Sequence, residues 1–268
     1  MESIMNTVAW LSDTHLDMVD SSWFDTLCTE IRDSDAQAVW LTGDIATGTD
    51  VCDWLVRFHH QTELPIYFVL GNHDYYDSSF EQVEHNLQEM LHHHDGIVWM
   101  DTKERIVLDE KTNLIGVGGW GDARAGDFHN TPIRINDHRL IKDLSDISRD
   151  EIYHRLLARG SMMANRLLEQ LFRCIDAQTI WVLTHVPPFE EACWYKGKAG
   201  DPNWTADFVC VAVGEVLERF ALKHPEKNLH VLCGHGHNRG IVYKQRNLVV
   251  HTAAAEYRKP RVEAYWSL

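Results

Sequence analysis

Five short apolar runs in this chain end in the same abrupt way, and that repetition constrains the fold more than any other feature. They are TVAWLSDTH at 7–15, AVWLTGD at 38–44, PIYFVLGNHD at 65–74, TIWVLTHVPP at 179–188 and LHVLCGHGH at 229–237. Each is a stretch of Val, Ile, Leu, Trp, Tyr or Phe with little alternation, which predicts strands covered on both faces. Each then stops in Asp, His, Asn or Gly. Helical spacing separates the first four: Trp23, Leu27 and Ile31; Val51, Leu55 and Phe58; then Phe80, Val83, Leu87 and Leu91 behind a Ser78-x-x-Glu81 capping box. Strand alternating with helix implies parallel pairing through right-handed crossovers. The carboxyl ends of parallel neighbours lie on one sheet edge, so the polar tails should converge there.

The remaining sequence is less regular. RIVLDEKTNLIGVGG predicts a hairpin of 106–108 with 114–117, and GIVYKQRNLVVHT and RVEAYW read as closing antiparallel strands of a second, mixed sheet. Residues 120–147 carry many charges and few periodic apolar positions, and read as a long loop near the site. A Ser148-x-x-Glu151 capping box then opens helical sequence to about Ile175, with Gly160 as its expected break.

A chain of 268 residues, 44% of them apolar, can bury one substantial core, so one domain spanning 1–268 is expected. No basic leader precedes Thr7, no apolar run is long enough to cross a bilayer, and the six cysteines are scattered without a Cys-x-x-Cys pair. These features point to the cytoplasm and away from a membrane partner. The net charge of −15 disfavours duplex nucleic acid, leaving a small ligand as the expected partner. Nothing in the sequence fixes an oligomeric state.

The strand tails supply Asp13, His15, Asp44, Asn72, His73, Asp74, His185, His235 and His237. Carboxylate, imidazole and amide oxygen together suit divalent or trivalent ions such as manganese, iron or zinc, and argue against a thiolate site. The donors outnumber what one ion needs. Two neighbouring ions would use them, and such a pair polarises phosphoryl groups and acidifies water.

Asp13-x-His15, Gly43-Asp44, Gly71-Asn72-His73-Asp74, His185 and Gly234-His235-x-His237, in this order, resemble the calcineurin-like metallophosphoesterase family. The resemblance covers residues 7 to about 252. It implies a four-layer α/β/β/α sandwich with a dinuclear metal site at the carboxyl ends of the strands. Carried over by position, Asp13, His15 and His237 would hold one ion, Asn72, His185 and His235 the other, and Asp44 would bridge them. His73 would face the substrate as a catalytic group, with Asp74 orienting its ring. Unlike many relatives, GDIATGTD has no second acidic residue soon after Asp44.

The expected activity is hydrolysis of phosphate esters on a small phosphorylated substrate, by attack of a metal-bound hydroxide assisted by His73. The alternative is a phosphodiesterase acting on a small nucleotide or lipid head-group diester, and a lesser one is a non-catalytic scaffold on the same fold. Trp120, Trp194, Tyr195 and Lys196 lie in predicted loops and are candidate substrate contacts.

Overall fold

The computed structural model describes residues 5–268; the reading of a leaderless start therefore lies partly outside the described residues, at 1–4. Thirteen strands are present among the described residues: β1 Thr7–Leu11, β2 Val39–Thr42, β3 Ile66–Val69, β4 Ile97–Trp99, β5 Ile106–Val107, β6 Thr112–Gly116, β7 Thr179–Leu183, β8 Trp194–Tyr195, β9 Lys198–Ala199, β10 Asn228–Cys233, β11 Gly240–Gln245, β12 Leu248–Thr252 and β13 Ala264–Ser267. The helices are α1 Ser21–Arg32, α2 Val51–Thr62, α3 Phe80–Leu91, α4 Asp137–Leu140, α5 Arg149–Arg173, α6 Thr205–Phe208 and α7 Val211–Lys223. One sheet has the order β13-β1-β2-β3-β4, the other β11-β12-β10-β7-β6-β5, while β8 and β9 form a separate small hairpin. The central pairings β1–β2, β2–β3, β10–β12, β10–β7 and β6–β7 are parallel. The fourth and fifth apolar runs thus belong to the second sheet.

Side-chain alternation along each strand builds four layers. Ala9 and Leu11 of β1 face Phe24, Leu27, Leu55, Phe58 and Leu87 of α1–α3 in one core. Val8 and Trp10 of the same strand meet Trp181 and Leu183 of β7 and Leu232 of β10 between the sheets. On the far side Ile180, Val182 and Val231 pack on Met163, Leu167 and Leu171 of α5 and Val213 and Leu217 of α7. The result is an α/β/β/α sandwich. Strands buried on both faces need apolar residues at every position, which is why the runs showed so little alternation.

Several local expectations are corrected. β13 joins the first sheet, antiparallel to β1, rather than the second. Trp23 is largely exposed, and Phe24 takes its place on the buried face of α1. The α3 cap is Ser79, whose side chain accepts from the Gln82 N–H; Ser78 lies one residue outside. The Ser148–Glu151 box does cap α5, but Gly160 does not break it. A Cβ at Gly160 would lie 2.4 Å from the Asp122 Cβ, so this glycine serves close packing rather than a turn. Residues 120–147 are anchored: Trp120, Phe128, Ile141 and Leu144 are buried with Ile152 and Leu156 of α5. No helix among the described residues is long and apolar enough to cross a membrane.

Candidate dinuclear metal centre

The loops leaving β1, β2, β3, β7 and β10 meet at one edge of the sandwich and are tied by their own backbones. Asp13 N–H donates to Gly43 O and His15 N–H to Asp44 O, both at 3.0 Å, and Gly234 N–H reaches His185 O at 2.9 Å. Asp44 and His73 are joined through the His73 N–H and Asp44 Oδ1, at 2.9 Å. The approach is close enough to require glycine at 71, where a Cβ would stand 2.2 Å from Asp44 Oδ1 and 2.7 Å from His185 Nε2.

Two donor clusters result. Asp13, His15, Asp44 and His237 form one, and Asp44, His185 and His235 form the other, so that Asp44 belongs to both. In the first, His15 Nε2 lies 3.4 Å from His237 Nε2, and His237 Nε2 lies 3.3 Å from Asp13 Oδ1. In the second, His185 Nε2 lies 3.1 Å from Asn72 Oδ1, 3.2 Å from His235 Nδ1 and 3.3 Å from Asp44 Oδ1. Donors about 2.0–2.1 Å from a shared ion are separated by roughly 2.8–3.4 Å at octahedral to tetrahedral angles.

Hydrogen bonding fixes what these atoms offer. His185 Nδ1–H donates to Thr42 O at 2.8 Å, which leaves a lone pair on Nε2. His235 Nε2–H donates to Asp207 O at 3.3 Å, leaving a lone pair on Nδ1. The Asn72 amide nitrogen donates to Asp137 Oδ1 at 2.8 Å and to the Tyr76 hydroxyl at 3.2 Å, which turns its oxygen inward. Three lone-pair acceptors and one oxygen of Asp44 therefore face one another with no hydrogen among them. A cation placed between them would be coordinated by all four, so the residues present fit a metal ion.

The electrostatics agree. Burial holds the imidazole of His15 down at about 4 and that of His235 at about 3, and it lowers His185 as well, so all three rings are held neutral, the form a metal would need. Burial pulls His237 down too, but its hydrogen bond and attraction to Asp13 outweigh this and raise it. Burial, together with the charges of Asp13 and Asp74, pushes Asp44 well above the usual carboxylate range, a penalty that paired cations would remove. The backbone is strained at the same places: Asp13, His15, Asp44, His235 and His237 all have positive φ, between 41° and 67°. Left-handed backbone costs a non-glycine residue about 1–2 kcal/mol.

His73 lies beside the clusters rather than in them. Its Nε2 is 4.0 Å from Asp44 Oδ2, its ring packs tilted against Tyr76 with centroids 4.2 Å apart, and its Nδ1 has no partner among the described residues. Burial and the neighbouring His15 lower its imidazole to about 2. Asp74 does not orient that ring. Its carboxylate accepts instead from the backbone N–H groups of Ile45 at 2.7 Å, Ala46 at 3.0 Å and Gly71 at 2.8 Å, stapling the β2 and β3 loops together.

An open cavity of about 280 Å³ lies over the centre, walled by Tyr76, Arg134, Asp137, Trp204, Phe208 and Tyr257 beside the ligands. None of the four expected substrate contacts lines it. Trp120 is buried against Tyr75 and Phe80, with the Arg159 guanidinium 5.0 Å from its ring. Tyr195 and Lys196 line a neighbouring recess of about 410 Å³, which Trp204 also borders, and Trp194 packs against the backbone at Gly240. Trp204 and Phe208 stand four apart in a short segment, a helical spacing that could have marked them. Tyr257 and Asp137 carry no comparable signal.

Over residues 7–239 the sequence matches the family described as calcineurin-like phosphoesterase. No curated protein matches the chain. Among solved structures it is similar to a phosphopantetheinyl hydrolase from Mycobacterium tuberculosis, at 15% identity and TM-score 0.64, over 96% of this chain and 91% of that one. It is also similar to a dimetal phosphatase from Danio rerio, at 13% identity and TM-score 0.58, over 99% of this chain and 93% of that one. At such low identity these two likenesses speak for the fold alone. The family match extends over most of the sequence, including all five strand-end fragments in full, and the chain belongs to the calcineurin-like phosphoesterase family.

Proposed function

We propose that the chain is a metal-dependent phosphoester hydrolase acting on a small phosphorylated substrate. The reading is carried by one observation: two clusters of metal-ligating side chains share the single carboxylate of Asp44 at the floor of an open cavity. Asp13, His15 and His237 would hold one ion with Asp44, and Asn72, His185 and His235 the other. When bound, the pair supplies Lewis-acid polarisation of phosphoryl oxygens and acidification of water near neutral pH. The chain's own residues do the rest. The Thr42 and Asp207 carbonyls hold His185 and His235 in the tautomers that present their lone pairs inward. His73, on the cavity wall, would hydrogen-bond a phosphoryl oxygen through its ring, or hand a proton to the leaving oxygen once the charge of a bound phosphate has raised its imidazole from the neutral state of the free site. Tyr76, Trp204, Phe208 and Tyr257 offer ring faces to the leaving group, and Arg134 offers a charge at the rim.

The test joins metal analysis of the purified protein to a panel of aryl phosphate monoesters and diesters. The reading expects close to two transition-metal ions per chain, loss of hydrolysis on chelation, and recovery on readdition. Full activity in metal-free protein would overturn it. Two bound ions with no turnover on any ester would favour a non-catalytic role.

A further inference from the structure

The two ligand clusters differ in what holds them. The first is set by the strand-end backbone: Asp13, for example, accepts from the His235 N–H at 2.9 Å and the Ser12 hydroxyl at 2.5 Å. In the second, two of the ligands are held from outside the sheets. Asn72 is oriented by Asp137, 65 residues away at the start of α4, and Tyr76 closes the arrangement by donating to the same Asp137 oxygen at 2.7 Å. His235 is oriented by the Asp207 carbonyl in α6, 28 residues away. These two short helices are in turn fastened to each other, since His138 Nε2 lies 3.0 Å from Asp207 Oδ1.

We propose that the His138–Asp207 pair is a latch between α4 and α6, and that His138, Asp207 and Asp137 are positioning residues that set the affinity of the second metal position alone. The inference rests on the dinuclear reading above. The reasoning starts from the amide. Only the oxygen of Asn72 can be a ligand, and a side-chain amide turns over at little cost unless its nitrogen is held. Asp137 and Tyr76 hold it by presenting acceptors. His235 needs its Nε2–H kept on a carbonyl for the same reason. Both requirements are met only while α4 and α6 keep their places, and the one side-chain link between them among the described residues is the His138–Asp207 pair. That link is almost fully buried, with side-chain exposures of 8% and 2%. Asp207 Oδ2 and His138 Nδ1 have no partner among the described residues. A buried pair so incompletely satisfied adds little net stability, and its consequence is geometric.

The experiment titrates chelated protein with Mn(II) alone, following stoichiometry by calorimetry and the ion environment by electron paramagnetic resonance. Wild type should take up two ions; uptake of one or none would overturn the dinuclear reading itself rather than the latch. In Asp137→Ala and His138→Ala the first ion should bind within about threefold of wild type, while the second weakens about 10- to 100-fold, the usual effect of losing an outer hydrogen-bond partner. Asp137→Asn keeps an acceptor oxygen and His138→Gln keeps a donor, so each should recover most of the second affinity. Unchanged binding of both ions in the alanine variants would overturn the latch. So would equal loss of both ions, or conservative variants as weak as alanine, since a merely structural role predicts those results. Apoprotein thermal midpoints for all four variants identify any that fail to fold, and the Asn and Gln variants then decide.

Discussion

Asp74 follows His73 directly, yet its carboxylate is turned away from the imidazole and onto three buried N–H groups of Ile45, Ala46 and Gly71. Asp74→Ala would leave all three without an acceptor in a place with no exposure. Each such orphan costs about 1–3 kcal/mol, and water entering the vacated space recovers part, so a net loss of about 3–5 kcal/mol is expected. For a chain of this size that corresponds to a fall in Tm of about 5–9 °C. Asp74→Asn should be milder. Its remaining oxygen can serve Ile45 and Ala46, but its amide nitrogen meets the Gly71 N–H donor to donor, a loss of about 1–3 kcal/mol. Urea unfolding of the chelated protein, followed by tryptophan fluorescence, measures this without the stability that bound ions add. Turnover of an aryl and an alkyl phosphate is then compared with that of His73→Ala. If Asp74→Ala left the urea midpoint unmoved and lost activity with the same leaving-group dependence as His73→Ala, the carboxylate would be serving the imidazole and the backbone-staple argument would fail.

His73→Ala removes no ligand, so it should keep both ions while lowering kcat by about 10²- to 10⁴-fold. A larger loss on the alkyl than on the aryl ester would mark proton delivery, equal losses would mark charge stabilisation, and lost metal would refute the assignment. Gly160→Ala gains helix propensity of about 1 kcal/mol but drives a methyl group to 2.4 Å from the Asp122 Cβ, for a net destabilisation of about 1–2 kcal/mol in urea unfolding. A stabilised variant would show that α5 can move away freely. His251 packs 4.9 Å from Trp266 between the sheets, and burial, followed by the nearby His230, lowers its imidazole to about 4. A histidine held neutral in the fold contributes stability that is present above about pH 6.5 and lost as the pH falls toward 4. His251→Phe should therefore flatten the loss of apoprotein stability in that window by about 1–2 kcal/mol, a figure reduced for the partial exposure of the ring. An unchanged slope would count against it.

How much of this was legible in the sequence divides along a physical line. A strand buried on both faces must be apolar at every position, and each run then breaks off in polar, metal-binding residue types, so the five fragments stood out by local rules alone. Those fragments also contain every residue of the two clusters. What the local rules missed depends on contacts remote in sequence. RVEAYW has the alternation of an edge strand, with Ala264 and Trp266 half-buried and Tyr265 exposed, but that pattern cannot say which sheet it completes. Trp120 looked like a loop aromatic because the Tyr75, Phe80 and Arg159 that enclose it come from three other segments. Gly160 looked like a break because Asp122, which needs the space, lies far back in the chain.

The same distinction holds inside the site. A ligand must be Asp, His or Asn, and its type is visible wherever it stands. An orienting partner need only present an acceptor at the right distance, and a backbone carbonyl such as that of Thr42 or Asp207 serves as well as a carboxylate. No residue type is therefore demanded at the outer positions, and sequence carries no mark of them. The segment 120–147 illustrates the consequence. Read as a long loop near the site, it contributes Arg134 to the cavity wall, but it also carries Asp137, which holds the Asn72 amide. Changes in this segment should then alter ion affinity and substrate preference together, because one connection supplies both the wall of the cavity and the orientation of Asn72.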